Sequence, residues 1–295
     1  MGSTPGAGQL DEGLCEVRSL IKSAIRATSL RSIAGRLGPS ISGGKMLRAQ
    51  LILSVGTAAG APQTVLYPTA AAVEMLHAAS LLHDDVVDGG NKRRGKPAFW
   101  VSEGAKAAIL MGDLLVSRAA GYVLETLPSI MPVLITTLQE MCDAEAEQEF
   151  LPFPDEGAWA RCVSIARRKT GSLFALAACC AAGTDGRLSI ALRRAGYAIG
   201  TAYQLADDLV DTCSDDALFG KSLGSDARMG KLTAATARGE AGEDPAPYIE
   251  RLLCASGQEL ASWPAVQDAW ARYAHDVMAP VIERFAACAS AAEGA

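Results

Sequence analysis

The chain has 295 residues, 49% of them apolar, which is enough for one large domain or two small ones. Its 27 lysines and arginines against 33 aspartates and glutamates leave a net charge of −6, which argues against a nucleic-acid surface or a polybasic membrane patch. The eight cysteines show no CxxC pair and no Cys/His metal spacing, so zinc and disulfides are excluded and a reduced, cytoplasmic protein is expected.

Residues 1–8 are small and lack the charged start and apolar core of a signal peptide, and residues 1–8 and 290–295 are expected to be disordered. No stretch approaches the about 18–20 apolar residues of a membrane span; the nearest, 173–182, is far too short. Strand signals are scarce, whereas Ala-rich apolar faces with helical period recur along the chain. Helices are expected over 9–30 and over 45–59, the latter stopped by Gly60-Ala61-Pro62. The next spans 67–88, with Pro68 in its first turn and Gly89-Gly90 at its end. Others follow over 103–126, from Pro132 to Glu149, over 158–182, 188–212 and 248–287, with polar breaks at 150–157, 183–186, 214–231 and 239–247. No linker or repeat divides them, so 1–295 reads as a single all-α domain.

The chemistry concentrates first in residues 81–97. An apolar helical segment runs into Asp84, Asp85 and Asp88, then through glycines to Arg93 and Arg94. On a helix Asp84 and Asp88 lie about 40° apart, and acids on so narrow an arc repel each other unless a cation sits among them. Mg²⁺ suits such oxygens, taking one or two carboxylates plus substrate phosphates. Alone, this run is as often a helix end with surface acids. However, Asp207, Asp208 and Asp211 repeat the i, i+1, i+4 spacing on a second helix, and two such copies, each followed by cations, are much rarer by chance. Facing each other, they would form two carboxylate walls for Mg²⁺ and a diphosphate. After the second cluster come Lys221 and Lys231 among glycines. Lys45 and Arg48 are expected at i, i+3 on the first turn of a helix, where free N–H groups favour an anion. Lys169-Thr170 abuts the apolar run 173–182, and His77 lies two turns before Asp84 on the same helix.

These elements, from Gly43-Gly44-Lys45-Met46-Leu47-Arg48 through 77–97, Gly112-Asp113, Lys169-Thr170 and 204–211 to 220–233, resemble the trans-isoprenyl diphosphate synthases of the polyprenyl synthetase family. The resemblance implies a large, mostly antiparallel helical bundle around a deep central cavity, usually a homodimer. It also implies head-to-tail condensation of an allylic diphosphate with isopentenyl diphosphate, Mg²⁺ being the cofactor and Mn²⁺ a substitute. Asp84, Asp85, Asp88, Asp207 and Asp211 would then hold the metal, with Asp208 in support. Arg93, Lys169 and Lys221 would contact the allylic diphosphate with Gln204 beside it, while Lys45, Arg48, His77 and Arg94 bind that of isopentenyl diphosphate. Thr170 would border the reacting carbons, and Lys231 would help close its loop. The chain departs from the family pattern at Met46, where a basic residue is usual, at Ala49, usually proline, and at Leu232-Thr233-Ala234-Ala235, commonly Pro-Thr-Leu-Pro.

Product length is expected to depend on Ala79 and Ser80, one turn above the first aspartates, where short-product enzymes place an aromatic. Small residues there favour geranylgeranyl or longer products, with Met75, Leu76, Met111 and Leu115 as a deeper floor or simply core. A lipid-like product would bring the protein near membranes without a span. A class I terpene cyclase would not need Lys45, Arg48 and a second diphosphate site, and a non-catalytic partner subunit would be expected to have lost one acidic motif.

Overall fold

Residues 7–29, 31, 44–93, 95–152, 156–210, 232–241 and 245–283 are described by a computed structural model of the chain, and among them the backbone is almost entirely α-helical. Helix α1 (Ala7–Arg26) turns Leu14, Val17, Ile21 and Ala24 inward at helical spacing. It starts at Ala7, inside the stretch 1–8 expected to be disordered; residues 1–6 and 290–295 lie outside the described residues. Helix α2 (Leu47–Ala58) is followed by α3 (Gln63–Val87), which starts four residues before the expected Tyr67. Pro68 is therefore inside α3, tolerated because the carbonyl its missing N–H would have engaged belongs to exposed Thr64.

Two unexpected strands, β1 (Lys92–Arg93) and β2 (Lys96–Pro97), pair antiparallel around Gly95, whose φ of 72° makes the turn. Helix α4 (Phe99–Glu103) lies almost wholly before the helix expected over 103–126, and Gly104 at φ 90° separates it from α5 (Ala105–Thr126), which fills that range. A 3₁₀ turn (Pro128–Ile130) leads into α6 (Met131–Phe150). The helix expected over 158–182 is α7 (Ala158–Ala166) and α8 (Ser172–Ala181), joined through a π-helical turn at Arg167–Gly171. Helix α9 (Gly186–Val210) starts under Asp185, whose Oδ1 accepts the N–H groups of Arg187 and Leu188 at 3.0 Å. Helix α10 (Ala234–Ala241) enters the break expected from Gly239, and the C-terminal part is α11 (Pro245–Ala255), a 3₁₀ turn (Gln258–Leu260) and α12 (Pro264–Arg272), which widens into a π-turn at Tyr273–Met278. Arg94, Asp211, Lys221 and Lys231 lie outside the described residues, as does the break expected at 214–231.

The bundle is organised around α3, which packs against α1, α2, α5 and α8, while α8 is buried along its whole length. Helices α8 and α9 approach unusually closely, because a Cβ on Gly196 would stand 2.6 Å from Ala175 Cα and one on Gly200 2.8 Å from Gly171 Cα. That contact fixes the π-turn against α9. Two helices, α3 and α5, are long and apolar enough to cross a membrane by length and composition, which corrects the reading that no segment reaches that measure. The most apolar stretch of α3 is 67% buried within the protein and that of α5 33%.

Candidate active site

The first acidic motif is the end of α3, with Asp84 and Asp85 in the last turn and Asp88 as C-cap. The hairpin that follows brings Arg93 back onto Asp85, which is 5% exposed: Arg93 Nε donates to both carboxylate oxygens at 2.9 Å and Nη2 to Oδ1 at 2.6 Å. Burial pushes the Asp84 carboxyl up to about 7; Lys169 opposes this, Glu145 and Asp88 add to it, and Arg93 again opposes it. A carboxyl so placed calls for a cation.

The second motif stands on α9, facing the π-turn. Thr170 Oγ1 donates to Gln204 Oε1 at 2.5 Å, Gln204 Nε2 donates to Asp208 Oδ1 at 2.6 Å, and Asp208 Oδ2 accepts the N–H of Ala234 at 3.1 Å. Asp208 therefore ties Gln204 to the start of α10. Lys169 Nζ lies 2.5 Å from Glu145 Oε2 and donates to Gln148 Oε1 at 2.9 Å, and Gln148 Nε2 donates to the Leu232 carbonyl at 2.9 Å. Asp88, Gln148, Lys169, Gln204, Asp208 and Leu232 meet around a cavity of about 60 Å³. The two motifs thus face each other across one polar space. The extra residue of the π-turn shifts Lys169 and Thr170 toward it, a common use of such turns.

Glu145 and Gln148 escaped the sequence reading. The run of acids at Asp143, Glu145, Glu147 and Glu149 on α6 was the available signal, but half of it serves structure. Glu147 pairs with Arg168 and, at 2.8 Å, with Arg161; burial works against its charge, but the two arginines hold the carboxyl below its ordinary value. Arg168 also reaches Asp143 at 2.6 Å.

The third group is arranged differently from expectation. Helix α2 starts at Leu47, so Lys45 precedes it and is exposed, whereas Arg48 turns inward and is 6% exposed. The left-handed backbone of Met46, at φ 50° and ψ 47°, separates them, so they do not share one helix face. Arg48 lies 4.4 Å from the centroid of the Phe174 ring; burial lowers its pKa and Glu74 is foremost among the groups restoring its charge. Glu74 Oε1 accepts the N–H of Ala49 at 2.9 Å. His77 follows half-buried on α3, Ser80 Oγ donates to its carbonyl at 2.9 Å, and Ala79 is buried. Met75, Leu76, Met111 and Leu115 are all in the hydrophobic core.

Among the described residues no three His, Cys, Asp or Glu side chains are gathered tightly enough to hold a metal ion. The donor chemistry nevertheless fits Mg²⁺, which needs only one or two carboxylates from each wall when phosphate oxygens complete its shell. One carboxylate from each acidic motif, Asp88 and Asp208, thus lines a shared polar cavity with Lys169 beside them, in an almost entirely helical bundle. The chain belongs to the polyprenyl synthetase family, whose model matches residues 37–260. It is 34% identical over 204 residues to a short chain isoprenyl diphosphate synthase of Methanothermobacter thermautotrophicus, covering 65% of this chain and 62% of that one. It is also 34% identical over 201 residues to the octaprenyl diphosphate synthase of Escherichia coli, covering 65% and 60%. The matches thus span about three fifths of the length of these curated relatives. In fold it superimposes on a polyprenyl synthase from Caulobacter crescentus, crystallised with calcium and isoprenyl diphosphate, with a TM-score of 0.72, 30% identity and coverage of 99% of this chain and 92% of that one.

Proposed function

We propose that this protein is an Mg²⁺-dependent prenyltransferase that condenses an allylic diphosphate with isopentenyl diphosphate, head to tail and trans, to a polyprenyl diphosphate of geranylgeranyl length or longer. The observation that carries the reading is the polar cavity shared by Asp88 from one acidic helix end and Asp208 from the other, with Lys169 and Gln204 also lining it. The crystal structure of the Caulobacter relative with calcium and isoprenyl diphosphate supports it. Asp84, Asp85, Asp88, Asp207 and Asp211 would hold Mg²⁺, or Mn²⁺ in its place, which when bound neutralises charge on a leaving diphosphate.

The chain's own residues do the rest. Lys169, Arg93 and Lys221 draw the allylic diphosphate to the walls, and Gln204 orients it while keeping Thr170 at the reacting carbons. Lys45, Arg48, His77 and Arg94 take the diphosphate of the second substrate. The buried apolar wall of α8 excludes water from the allylic cation until the isopentenyl double bond attacks it, and the proton then lost goes to the departing diphosphate. Arg94, Asp211, Lys221 and Lys231 enter this reading from the sequence pattern alone. Small Ala79 and Ser80 above the first aspartates favour a long product, although the relatives' names run from short chain to octaprenyl.

A homodimer is part of the same reading, supported by exposed Leu110 and Leu124 on one face of α5. So is a cytoplasmic location, supported by free thiols at Cys15, Cys142 and Cys254. Purified protein with Mg²⁺, isopentenyl diphosphate and dimethylallyl, geranyl or farnesyl diphosphate should release pyrophosphate and give product masses spaced by one isoprene unit. Absence of condensation with every primer would refute the reading.

A further inference from the structure

We propose that His83, seated in a backbone notch at Gly112, is a positioning residue that holds the acidic last turn of α3 in shape before any cation arrives. The inference rests on the reading of Asp84, Asp85 and Asp88 as metal-binding. A helix C-terminus is the least favourable place for three carboxylates, which repel one another and meet the negative end of the helix dipole. No basic residue lies in that last turn to offset them. Lys169 and Arg93 offset part of that charge from outside the helix, and two contacts fix the flanks of the turn. On one flank Arg93 grips Asp85. On the other, His83 Nε2 lies 3.2 Å from the carbonyl of Ile109 and 3.4 Å from Asp113 Oδ1, both on α5. Since both neighbours are acceptors, Nε2 carries the proton and donates it.

Gly112 is what admits the ring. A Cβ there would stand 2.2 Å from His83 Nε2 and 2.7 Å from Cδ2, far inside contact distance. A glycine inside a long helix sacrifices local stability, and here the space it leaves is filled by one particular imidazole. The arrangement explains two features that metal and diphosphate binding leave unused: the His immediately before the first acidic motif, and the Gly112-Asp113 pair.

The test combines hydrogen exchange of the amides of residues 84–90, with and without Mg²⁺ and inorganic pyrophosphate, with calorimetric titration of Mg²⁺ in the presence of pyrophosphate. Gly112→Ala should speed exchange of these amides in metal-free protein about tenfold while leaving α8 protected, and raise the Mg²⁺ concentration at half-saturation about tenfold. Mg²⁺ with pyrophosphate should restore most of the lost protection. His83→Ala should act in the same direction, and the double variant should be no worse than His83→Ala, because the clash is with the ring. Should Gly112→Ala fail to fold, His83→Gln serves: its amide can still donate to Ile109 and should recover most of what His83→Ala loses. Additive losses in the double variant, an unchanged Mg²⁺ requirement, or no difference between His83→Gln and His83→Ala would overturn the proposal. Wild-type protein that binds Mg²⁺ and pyrophosphate but condenses no substrate would refute the assigned activity and leave this proposal standing. Wild-type protein that binds neither would refute both.

Discussion

Glu74→Ala should be among the costlier single substitutions for stability, and the reason is legible in its surroundings. Glu74 is 5% exposed and bonds the N–H of Ala49, an early N–H of α2 with no intrahelical partner, from a neighbouring helix. Met46 at the N-cap makes no side-chain capping bond, so Glu74 does from a distance what a local Ser or Asp would do. It also faces Arg48, whose guanidinium is enclosed and whose Nε has no hydrogen-bond partner among the described residues. Stranding the Ala49 N–H costs about 1–3 kcal/mol, and leaving the enclosed Arg48 guanidinium without its foremost charge partner costs about 3–5 kcal/mol. The two costs overlap because one carboxylate serves both, so the expected total is about 3–5 kcal/mol. Arg48→Met should cost less, since it leaves Glu74 bonded to Ala49. The double variant should cost no more than Glu74→Ala alone, giving a coupling of about 2 kcal/mol or more. Urea denaturation of the four proteins at pH 7, followed by circular dichroism, measures this. Additive single-variant costs would show that the two groups do not stabilise each other.

Three further outcomes are expected. The folded-state value of about 7 for Asp84, against an ordinary 3.8, means that the proton on Asp84 stabilises metal-free protein fully below pH 3.8 and that this contribution is lost as pH rises through about 7. Cation binding must displace that proton, so calorimetric Mg²⁺ affinity should rise up to about tenfold per pH unit below 7 and level off above it; a flat profile from pH 6 to 8 would contradict this. Gly200→Ala places a Cβ 2.8 Å from Gly171 Cα and 2.9 Å from Phe174 Cβ, which should cost about 1–3 kcal/mol by overpacking. It should also weaken pyrophosphate binding through displaced Lys169, and an unchanged melting temperature in calorimetry would be the wrong result. Ala79→Tyr should shorten the product seen by mass spectrometry; an unchanged length would show that the prenyl tail does not pass that residue.

Periodicity located most helices to within a few residues, and the misplacements share a cause. Gly104 and Gly95 adopt positive-φ backbone that ends one element and starts another, and the stretch 89–102 around them carries no clear period by which to place β1, β2 and α4. Conversely, Pro68 looked like a helix start because its ring favours the first turn, but the exposed face of α3 accommodates it further in. Arg48 was expected beside Lys45 because spacing assumes a shared helix, and the left-handed Met46 breaks that assumption.

By itself the sequence determined the all-α class, the two acidic motifs and the apolar segments behind them, because helical period and charge spacing are local properties of the chain. Only tertiary structure decided which groups share a cavity. Glu145 and Gln148 reach Lys169, Glu74 reaches Ala49, and His83 finds Gly112 across gaps of 21 to 29 residues, through contacts that depend on how helices cross. Side-chain direction at such crossings depends on packing rather than on spacing, which is why the walls of the site were legible and their supports were not.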